Sequence, residues 1–175
     1  MVKRTKKQYD EDAEKVLAEL QSNCKQDLDK IAKHCGFSKQ KAWRIIKQLE
    51  TEGYIWGYTS IINEEKRNLT QFTILIKKTS QPLETRIVEK IDTITLEEFV
   101  SEMDVFIESS YFVHGNYDWL ITVIASDIKH VRKFCEALFK AFPGAMEKIE
   151  VLQTLYAVRK HHIFNPDRKK LHELM

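Results

Sequence analysis

The 175-residue sequence predicts an α+β fold in two parts, a head of three helices followed by a half that mixes strands and helices. Two observations support this division. Apolar residues recur every three or four positions through the first third of the chain, whereas β-branched runs alternate with helical ones in the rest. The charge divides too: residues 1–58 carry 12 cations and 9 anions (+3), residues 59–158 carry 11 and 15 (−4), and residues 159–175 carry 5 and 2 (+3). A basic front is typical of a segment that binds phosphate.

Composition excludes several classes of protein. An apolar fraction of 43% is ordinary for a globular chain, and a net charge of only +2 argues against nucleic-acid binding by bulk charge alone. Three cysteines without a CxxC pair are typical of a reducing compartment. The sequence starts without an apolar signal segment, and no apolar run approaches the roughly 20 residues that span a bilayer. We therefore expect a cytoplasmic protein with no membrane partner.

The first helix is predicted to begin near Asp10, because acidic residues crowd positions 10–14 and negative charge stabilises a helix N-terminus. Its apolar stripe consists of Ala13, Val16, Leu17 and Leu20. The basic arm before it is interpreted as a solvated terminus, with phosphate binding as the alternative. The arm contains Lys3, Arg4, Lys6 and Lys7.

Residues 26–58 predict two helices joined by a tight turn, followed by a strand. Gly36 stops the first helix, because glycine enters the left-handed region without cost, and Ser38 caps the second. Gly53 is the expected end of the second helix. The predicted buried residues are Leu28, Ile31, Ala32 and Cys35 in the first helix and Ala42, Ile45, Ile46 and Leu49 in the second.

The opposite face of the second helix carries cations, a long amide and an indole, with no acid before Glu50. Such a face can enter the major groove of DNA, where Arg or Lys donates to guanine, Gln binds adenine and other cations meet phosphate. A solvated basic face on an ordinary helical hairpin is the alternative. We favour DNA binding, because the turn, the helix cap, the buried apolar stripe and the basic outward face are all typical of a helix-turn-helix. The predicted DNA-binding residues are Ser38, Lys39, Gln40, Lys41, Trp43, Arg44 and Lys47, all expected to face outward or cap the helix.

The run from Ala32 to Asn63 resembles the DNA-binding half of the Lrp/AsnC family of feast/famine regulators. Ile45 departs from the pattern, since the family often has arginine there. The resemblance implies a transcription regulator that binds double-stranded DNA as a homodimer or as a larger assembly such as an octamer. The matching residues are Gly36, Ser38, Ala42, Ile46, Leu49, Glu50, Gly53, Ile55, Gly57, Tyr58 and Asn63.

The second half has the order βαββαβ, which predicts a ferredoxin-like sheet. Its strands are predicted at residues 71–78, 105–113, 117–125 and 145–158. The first helix of this half starts near Pro82, and residues 79–104 are longer than one helix needs. Its apolar stripe includes Leu83, Ile87, Val88 and Ile91. The second helix, capped by Ser126 or Asp127, has a stripe of Val131, Phe134, Cys135, Leu138 and Phe139.

This half is similar to the family's effector-binding (RAM) domain at the turn of residues 114–118 and at residues 143–145. The resemblance implies that an amino acid or another small effector binds beside the turn. Gly115 would admit a carboxylate to backbone N–H groups, and Asp118 would accept from an ammonium. An ordinary hairpin turn is an equally weighted alternative. The predicted effector residues are Gly115, Asn116, Tyr117, Asp118 and Glu150.

The last strand departs from the family at Lys148 and Glu150, where small hydroxyl residues are usual. The two residues share one strand face, since they are two positions apart. Either they pair with each other and fill the effector cavity, or Glu150 binds a basic effector.

No catalytic constellation stands out. The sequence has no GxSxG or HExxH motif, and five glycines leave little for a phosphate-cradling loop, so we predict neither an enzyme nor a cofactor. His161, His162 and His172 lack a carboxylate or cysteine at metal-ligand spacing, so we predict no metal site. Two rivals remain. One is an enzyme like the siroheme decarboxylases, which resemble this two-domain architecture, with His114 and His130 as candidates. The other is a small-molecule sensor that no longer binds DNA.

The predicted domains are a helix-turn-helix domain at residues 1–58, a linker at 59–70, an oligomerisation and effector domain at 71–158, and a basic tail at 159–175. The strand that leaves the head is expected at residues 54–62, because their Tyr, Ile and Trp content suits a strand.

Overall fold

The computed structural model describes residues 6–82, 84–93, 96, 100 and 103–167. The chain divides into two compact units. One unit joins the described residues up to Ile61 with those from Val158 onward, and the other spans Ile62–Ala157. No helix in the described part of the chain is long and apolar enough to cross a membrane. Expectations for Lys3, Arg4, Leu83 and His172, and for the side chain of Ile91, lie outside the described residues.

Three helices form the head: α1 Lys6–Ser22, α2 Leu28–Cys35 and α3 Lys39–Thr51. All three predicted helices are confirmed. However, α1 already includes Lys6, so the acidic residues at positions 10–14 lie beyond its first turn rather than at its N-terminus. The predicted start near Asp10 was therefore wrong, because charge near a helix end does not fix where the end lies.

Left-handed glycines end both helices of the pair α2–α3 where the sequence predicts. Gly36 has φ 70°, and its N–H donates to the carbonyl of Lys33 at 3.1 Å. Gly53 has φ 76° and follows the α3 cap residue Glu52. These stops let the apolar stripes of the three helices meet in one core. The core consists of Ala13, Val16, Ile31, Cys35, Ile45 and Leu49.

Residues 54–62 form no strand, so the prediction of a strand there was wrong for the single chain. Trp56 is 98% exposed, and Tyr54 and Tyr58 are also exposed. The composition suits a strand, but a strand needs a neighbour to pair with, and the described residues offer none here. A short 3-10 turn, Glu65–Arg67, follows in the predicted hinge.

The second unit contains four antiparallel strands, β1 Thr70–Lys78, β2 Val105–Phe112, β3 Trp119–Ala125 and β4 Met146–Gln153. Their order across the sheet is β2-β3-β1-β4, which confirms the ferredoxin-like prediction. Strand β1 lies in the centre and pairs Ile74 with Ile121 on one side and with Val151 on the other. Helix α4 Thr85–Thr93 follows β1, and helix α5 Ile128–Ala141 follows β3.

One face of this sheet and its helices enclose the second core. Asp127 caps α5 by accepting from the N–H of Lys129 at 2.9 Å, as one of the two predicted caps. Val88 and Phe139 were predicted to be buried but are both exposed, because each lies at the edge of its helical stripe. The largest fully buried residues of this unit are Phe72, Ile74, Ile76, Ile121, Val123, Val131, Phe134 and Leu138.

The chain leaves β4 earlier than predicted. Strand β4 ends at Gln153 rather than at residue 158, and a small hairpin follows, with β5 Arg159–Lys160 paired antiparallel to β6 Ile163–Phe164. This hairpin belongs to the same compact unit as the three helices of the head. The head is therefore built from both ends of the chain.

Candidate functional site

The candidate DNA-binding face is set by the start of α3. The Ser38 side chain accepts from the N–H of Lys41 at 3.2 Å, which confirms the predicted cap. Ala42, Ile45 and Leu49 are buried on one side of the helix. Residues three or four apart share a helix face, so burying this stripe turns the opposite face outward.

Four outward residues of α3 line one shallow cleft of about 400 Å³ with Leu28: Lys39, Gln40, Trp43 and Arg44. Trp43 is 52% exposed although it is a large aromatic residue. The Arg44 Nε donates to the Gln40 carbonyl at 3.4 Å, so the guanidinium lies back along the helix towards its N-terminus. The Lys39 Nζ lies 2.8 Å from an Asp29 carboxylate oxygen at an exposed position. The structure therefore brings these four predicted residues together on one surface.

Lys41 does not face outward, contrary to the prediction. Its Nζ lies 2.7 Å from a carboxylate oxygen of Asp12, and both side chains are largely buried. The same ammonium lies 3.5 Å from the centre of the Phe37 ring. Helix α1 covers this flank of α3, which a reading of α3 alone cannot show. Lys41 thus ties α3 to α1 instead of meeting solvent.

Lys47 is exposed and belongs to a chain of hydrogen bonds at the end of α3. Its Nζ donates to Glu50 at 2.7 Å, and the Tyr58 hydroxyl donates to the other Glu50 oxygen at 3.0 Å. These two donors lower the pKa of Glu50. Partial burial and the nearby Glu50 carboxylate raise the pKa of Tyr58 to about 12. Tyr58 thereby connects the segment that follows α3 to the last turn of α3.

The predicted effector residues fall into two separate arrangements. The Asp118 carboxylate accepts from the backbone N–H of Lys78 at 2.9 Å and lies 3.9 Å from its Nζ. Tyr117 instead donates to Glu150, and Lys148 also pairs with Glu150. Lys148 and Glu150 therefore pair, as in the first of the two alternatives that the sequence left open, but neither residue lines the cavity beside Asp118.

Glu150, Lys148 and Tyr117 shift one another's pKa values. Lys148 and then Tyr117 lower the pKa of Glu150, while Glu150 raises the pKa of both partners. A Cβ added at Gly115 would meet no atom within 4 Å, so the turn is open there. Both carboxylates near the turn already have donors.

A cavity of about 300 Å³ adjoins Asp118. Its wall is mostly apolar, with Lys78 and Asp118 as the charged residues. The lining residues also include Ile76, Phe112, Val113, Trp119, Phe142, Ala145 and Met146. Of the five predicted effector residues, only Asp118 lines this cavity.

No group of three or more metal-binding side chains occurs in the described ranges of the chain. His161 and His162 both lie at the turn of the β5–β6 hairpin. His130, a candidate in the enzyme hypothesis, has its Nδ1 3.3 Å from the Ser126 Oγ.

Residues 13–55 match a family model described as winged helix-turn-helix DNA-binding. The chain is 26% identical over 149 residues to the DNA-binding transcriptional activator DecR of Escherichia coli, covering 81% of this chain and 93% of DecR. It is 27% identical over 168 residues to the leucine-responsive regulatory protein of Haemophilus influenzae, covering 91% of this chain and 96% of that protein.

Two solved structures share the fold. An AsnC family transcriptional regulator from Agrobacterium tumefaciens has a TM-score of 0.63 at 20% identity, covering 90% of this chain and 97% of that one. The transcriptional regulator NMB0573 of Neisseria meningitidis, in complex with L-Met, has a TM-score of 0.64 at 18% identity, covering 94% and 97%. The family model and these relatives support the resemblance to the Lrp/AsnC family that the sequence predicts.

Two features of this protein were missed at the sequence level. The Lys41–Asp12 pair joins two helices, so no i,i+4 spacing signals it. The Glu50–Tyr58 hydrogen bond lies within the stretch that carries the family resemblance, but the motif gives no bonding partner. Glu50 and Tyr58 both match the family motif although neither belongs to the apolar stripe. That is the signal that could have suggested a hydrogen bond between them.

Replacing Tyr58 with Phe should reduce the loss of stability of the protein as the pH rises into the alkaline range. The folded-state pKa of Tyr58 is raised from 10.0 to about 12, so its contribution is present below pH 10 and is lost as the pH rises through about 12. Urea unfolding midpoints at about pH 9 and about pH 12 measure the slope. The exposed Tyr54→Phe variant is the control and should keep the wild-type slope. Equal slopes for Y58F and wild type would contradict the assignment.

Proposed function

We propose that the protein is a sequence-specific DNA-binding transcription regulator. The observation that carries this proposal is the outward face of α3, where Lys39, Gln40, Trp43 and Arg44 line one surface opposite a buried stripe. A helix fits the major groove, which is about 12 Å wide, and presents its first turns to the base edges. The family model and the relatives named above support the same function.

The roles of the reading residues follow from their chemistry. Arg44 and Lys39 can donate to guanine and Gln40 can bind adenine, while Trp43 can pack on a thymine methyl group. Lys47 lies farther along the helix and suits a phosphate contact. Ser38 supports the site by capping α3, and Lys41 supports it by fixing α3 against α1.

Arg44→Ala should weaken binding to the preferred DNA sequence by about 1–3 kcal/mol and relax the preference at one base position. Genomic-fragment selection at two salt concentrations identifies the preferred sequence, and fluorescence anisotropy on it and on a scrambled duplex measures both effects. Arg132→Ala removes an exposed arginine from α5 in the other unit and should change neither quantity. Equal weakening on both duplexes would contradict the base-reading role of Arg44, and absence of any preferred fragment for the wild type would contradict the proposed function.

A homodimer is part of this proposal, because the described residues of the unit leave one face of the four-stranded sheet uncovered. The helices pack on the side of Phe72, Ile74 and Ile76. On the other side, Phe106 is 57% exposed and Leu152 is 53% exposed. Strand neighbours alternate between faces, so these residues share one broad, partly apolar surface. A second copy of the chain would cover it, and the resulting dimer would supply two α3 helices for successive major grooves of a roughly palindromic site.

Leu152→Glu should dissociate the dimer, because a carboxylate would be buried in an apolar contact. Light scattering after size-exclusion chromatography measures the mass. Leu155→Glu is the matched control, since Leu155 is exposed just after β4 ends. A dimer that persists in L152E, or dissociates equally in L155E, would contradict the placement of the contact on the sheet face.

The proposed effector is an amino acid with an apolar side chain. The cavity beside Asp118 has about the volume of a small ligand site, and its wall is mostly apolar. Asp118 can accept from the ammonium of the ligand, and Lys78 can bind its carboxylate. The NMB0573 structure, which contains L-Met in a protein of the same fold, supports this class of ligand. Glu150 is not assigned to the site, because Lys148 and Tyr117 already donate to it.

Methionine or leucine should change the fluorescence of Trp119, which lines the cavity. Asp118→Asn should abolish the change, since it removes the charge that meets the ammonium while keeping an oxygen for the Lys78 N–H. Glu150→Gln should leave the change intact. Fluorescence titration with each of the two amino acids measures both variants. Loss of the response in E150Q with retention in D118N would reverse the assignment.

The two rivals receive no support from these observations. The relatives named above are regulators rather than enzymes. The sensor alternative predicts no gel shift on any genomic fragment, and the exposed cationic face of α3 argues against it. Because the proposed function requires access to DNA, a cytoplasmic location is part of the proposal.

A further inference from the structure

The β5–β6 hairpin adds a basic element to the helical head. It carries the sequence Arg-Lys-His-His-Ile-Phe at residues 159–164, without an acidic residue. The whole segment from residue 159 to residue 175 has five cations and two anions. The hairpin shares its compact unit with α1, α2 and α3 rather than with the sheet from which the chain has just emerged. The hairpin therefore brings Arg159 and Lys160 to the unit that contains α3.

The turn of the hairpin lies beside the connection between α1 and α2. His161, His162 and Ile163 line a cleft of about 860 Å³ together with residues 20–25 and residues 54–61. This is the flank where the chain enters α2 and where it leaves α3. Residues 54–61, which follow α3, form no hairpin. Among the described residues of this unit, β5 and β6 are the strands that pair with each other.

This flank lies near the surface formed by Lys39, Gln40, Trp43 and Arg44 of α3. Lys25 lines the cleft beside the hairpin, and Leu28 lines the cleft beside Lys39 and Arg44. Lys25 and Leu28 are three positions apart in the sequence, so their Cα atoms are separated by at most about 11 Å. That length is close to the width of the major groove, about 12 Å. Lys25 therefore lies within about one groove width of Leu28, so the backbone that borders a groove occupied by α3 is within reach of this flank.

A contact between the two strands of the hairpin orients the guanidinium group of Arg159. The guanidinium carbon of Arg159 lies 3.8 Å from the centre of the Phe164 ring across the two strands. Stacking on a ring orients a guanidinium but leaves its charge and its N–H donors available for a phosphate. The turn is short, with His161 in the left-handed region at φ 49°, so the two strands project as a narrow element.

We propose that the β5–β6 hairpin is a second DNA contact, in which Arg159 and Lys160 bind phosphates of the backbone that flanks the groove occupied by α3. The proposal rests on the proposed function of α3. The hairpin contact is independent of base sequence, because it is made to phosphate. It gives the head the wing that the family model implies, supplied from the C-terminal end of the chain instead of from the segment after α3.

The test is the salt dependence of DNA binding by the full-length protein. Each phosphate contact contributes about 0.9 to the slope of log Kobs against log salt concentration. The R159Q/K160Q variant should therefore have a slope smaller in magnitude by about 1–2 than the wild type. The reduction should be the same on the preferred duplex and on a scrambled duplex of equal length. Fluorescence anisotropy between about 50 and 200 mM salt measures both slopes.

Two variants control for charge and for folding. R132Q/K133Q removes an exposed arginine and lysine from α5 and should keep the wild-type slope. R159K/K160R keeps both charges and should restore the wild-type slope even if the ring contact is altered. A wild-type slope in R159Q/K160Q would overturn the proposal, and so would an equal reduction in R132Q/K133Q.

A tethered probe gives an answer that does not depend on the affinity of a variant. An iron chelate attached at H162C, in a C24S background because Cys24 is exposed, should cleave the duplex backbone beside the α3 site. Absence of cleavage while the labelled protein is bound would overturn the proposal. The proposed function stands or falls separately, because it requires a preferred fragment and a loss of preference in R44A, whichever way the hairpin variants behave.

Discussion

The packing of one apolar stripe of α3 against α1 and α2 is the constraint on which the DNA-binding face depends. Ala42, Ile45 and Leu49 are buried, and full burial of an Ile or Leu side chain contributes about 1.5–3 kcal/mol. A helix has a fixed period, so fixing these positions also fixes the direction of Gln40 and Arg44. The outward face is therefore held by the core beneath it rather than by contacts of its own.

Local chemistry explains why much of the fold could be predicted from the sequence. The stop at Gly36 and the caps at Ser38 and Asp127 depend on a few neighbouring residues. The βαββαβ order followed from the alternation of strand and helix patterns, and that order leads to few sheet topologies. Four of the predicted DNA-binding residues share one surface for the same reason, since helical spacing alone places them together.

The errors arose where the outcome depends on partners distant in the sequence. Lys41 was assigned outward because only α3 was considered, whereas Asp12 and Phe37 enclose its ammonium. Residues 54–62 have the composition of a strand, but pairing needs an edge that the described part of one chain does not provide. The turn at Asp118 shows the same limit, because one of its carboxylate oxygens accepts from the N–H of Lys78 in β1, a contact that the turn sequence alone does not show.

The return of the hairpin to the head makes the sheet unit an insertion between the two segments of the helical unit. During synthesis the helices emerge first, and residues 62–157 must follow before Arg159 leaves the ribosome. At 5–20 residues per second this interval is roughly 5–20 s, long compared with the time in which a small helical unit folds. The head thus passes through a stage with three helices and no hairpin, and it is completed only after the whole sheet unit has been synthesised.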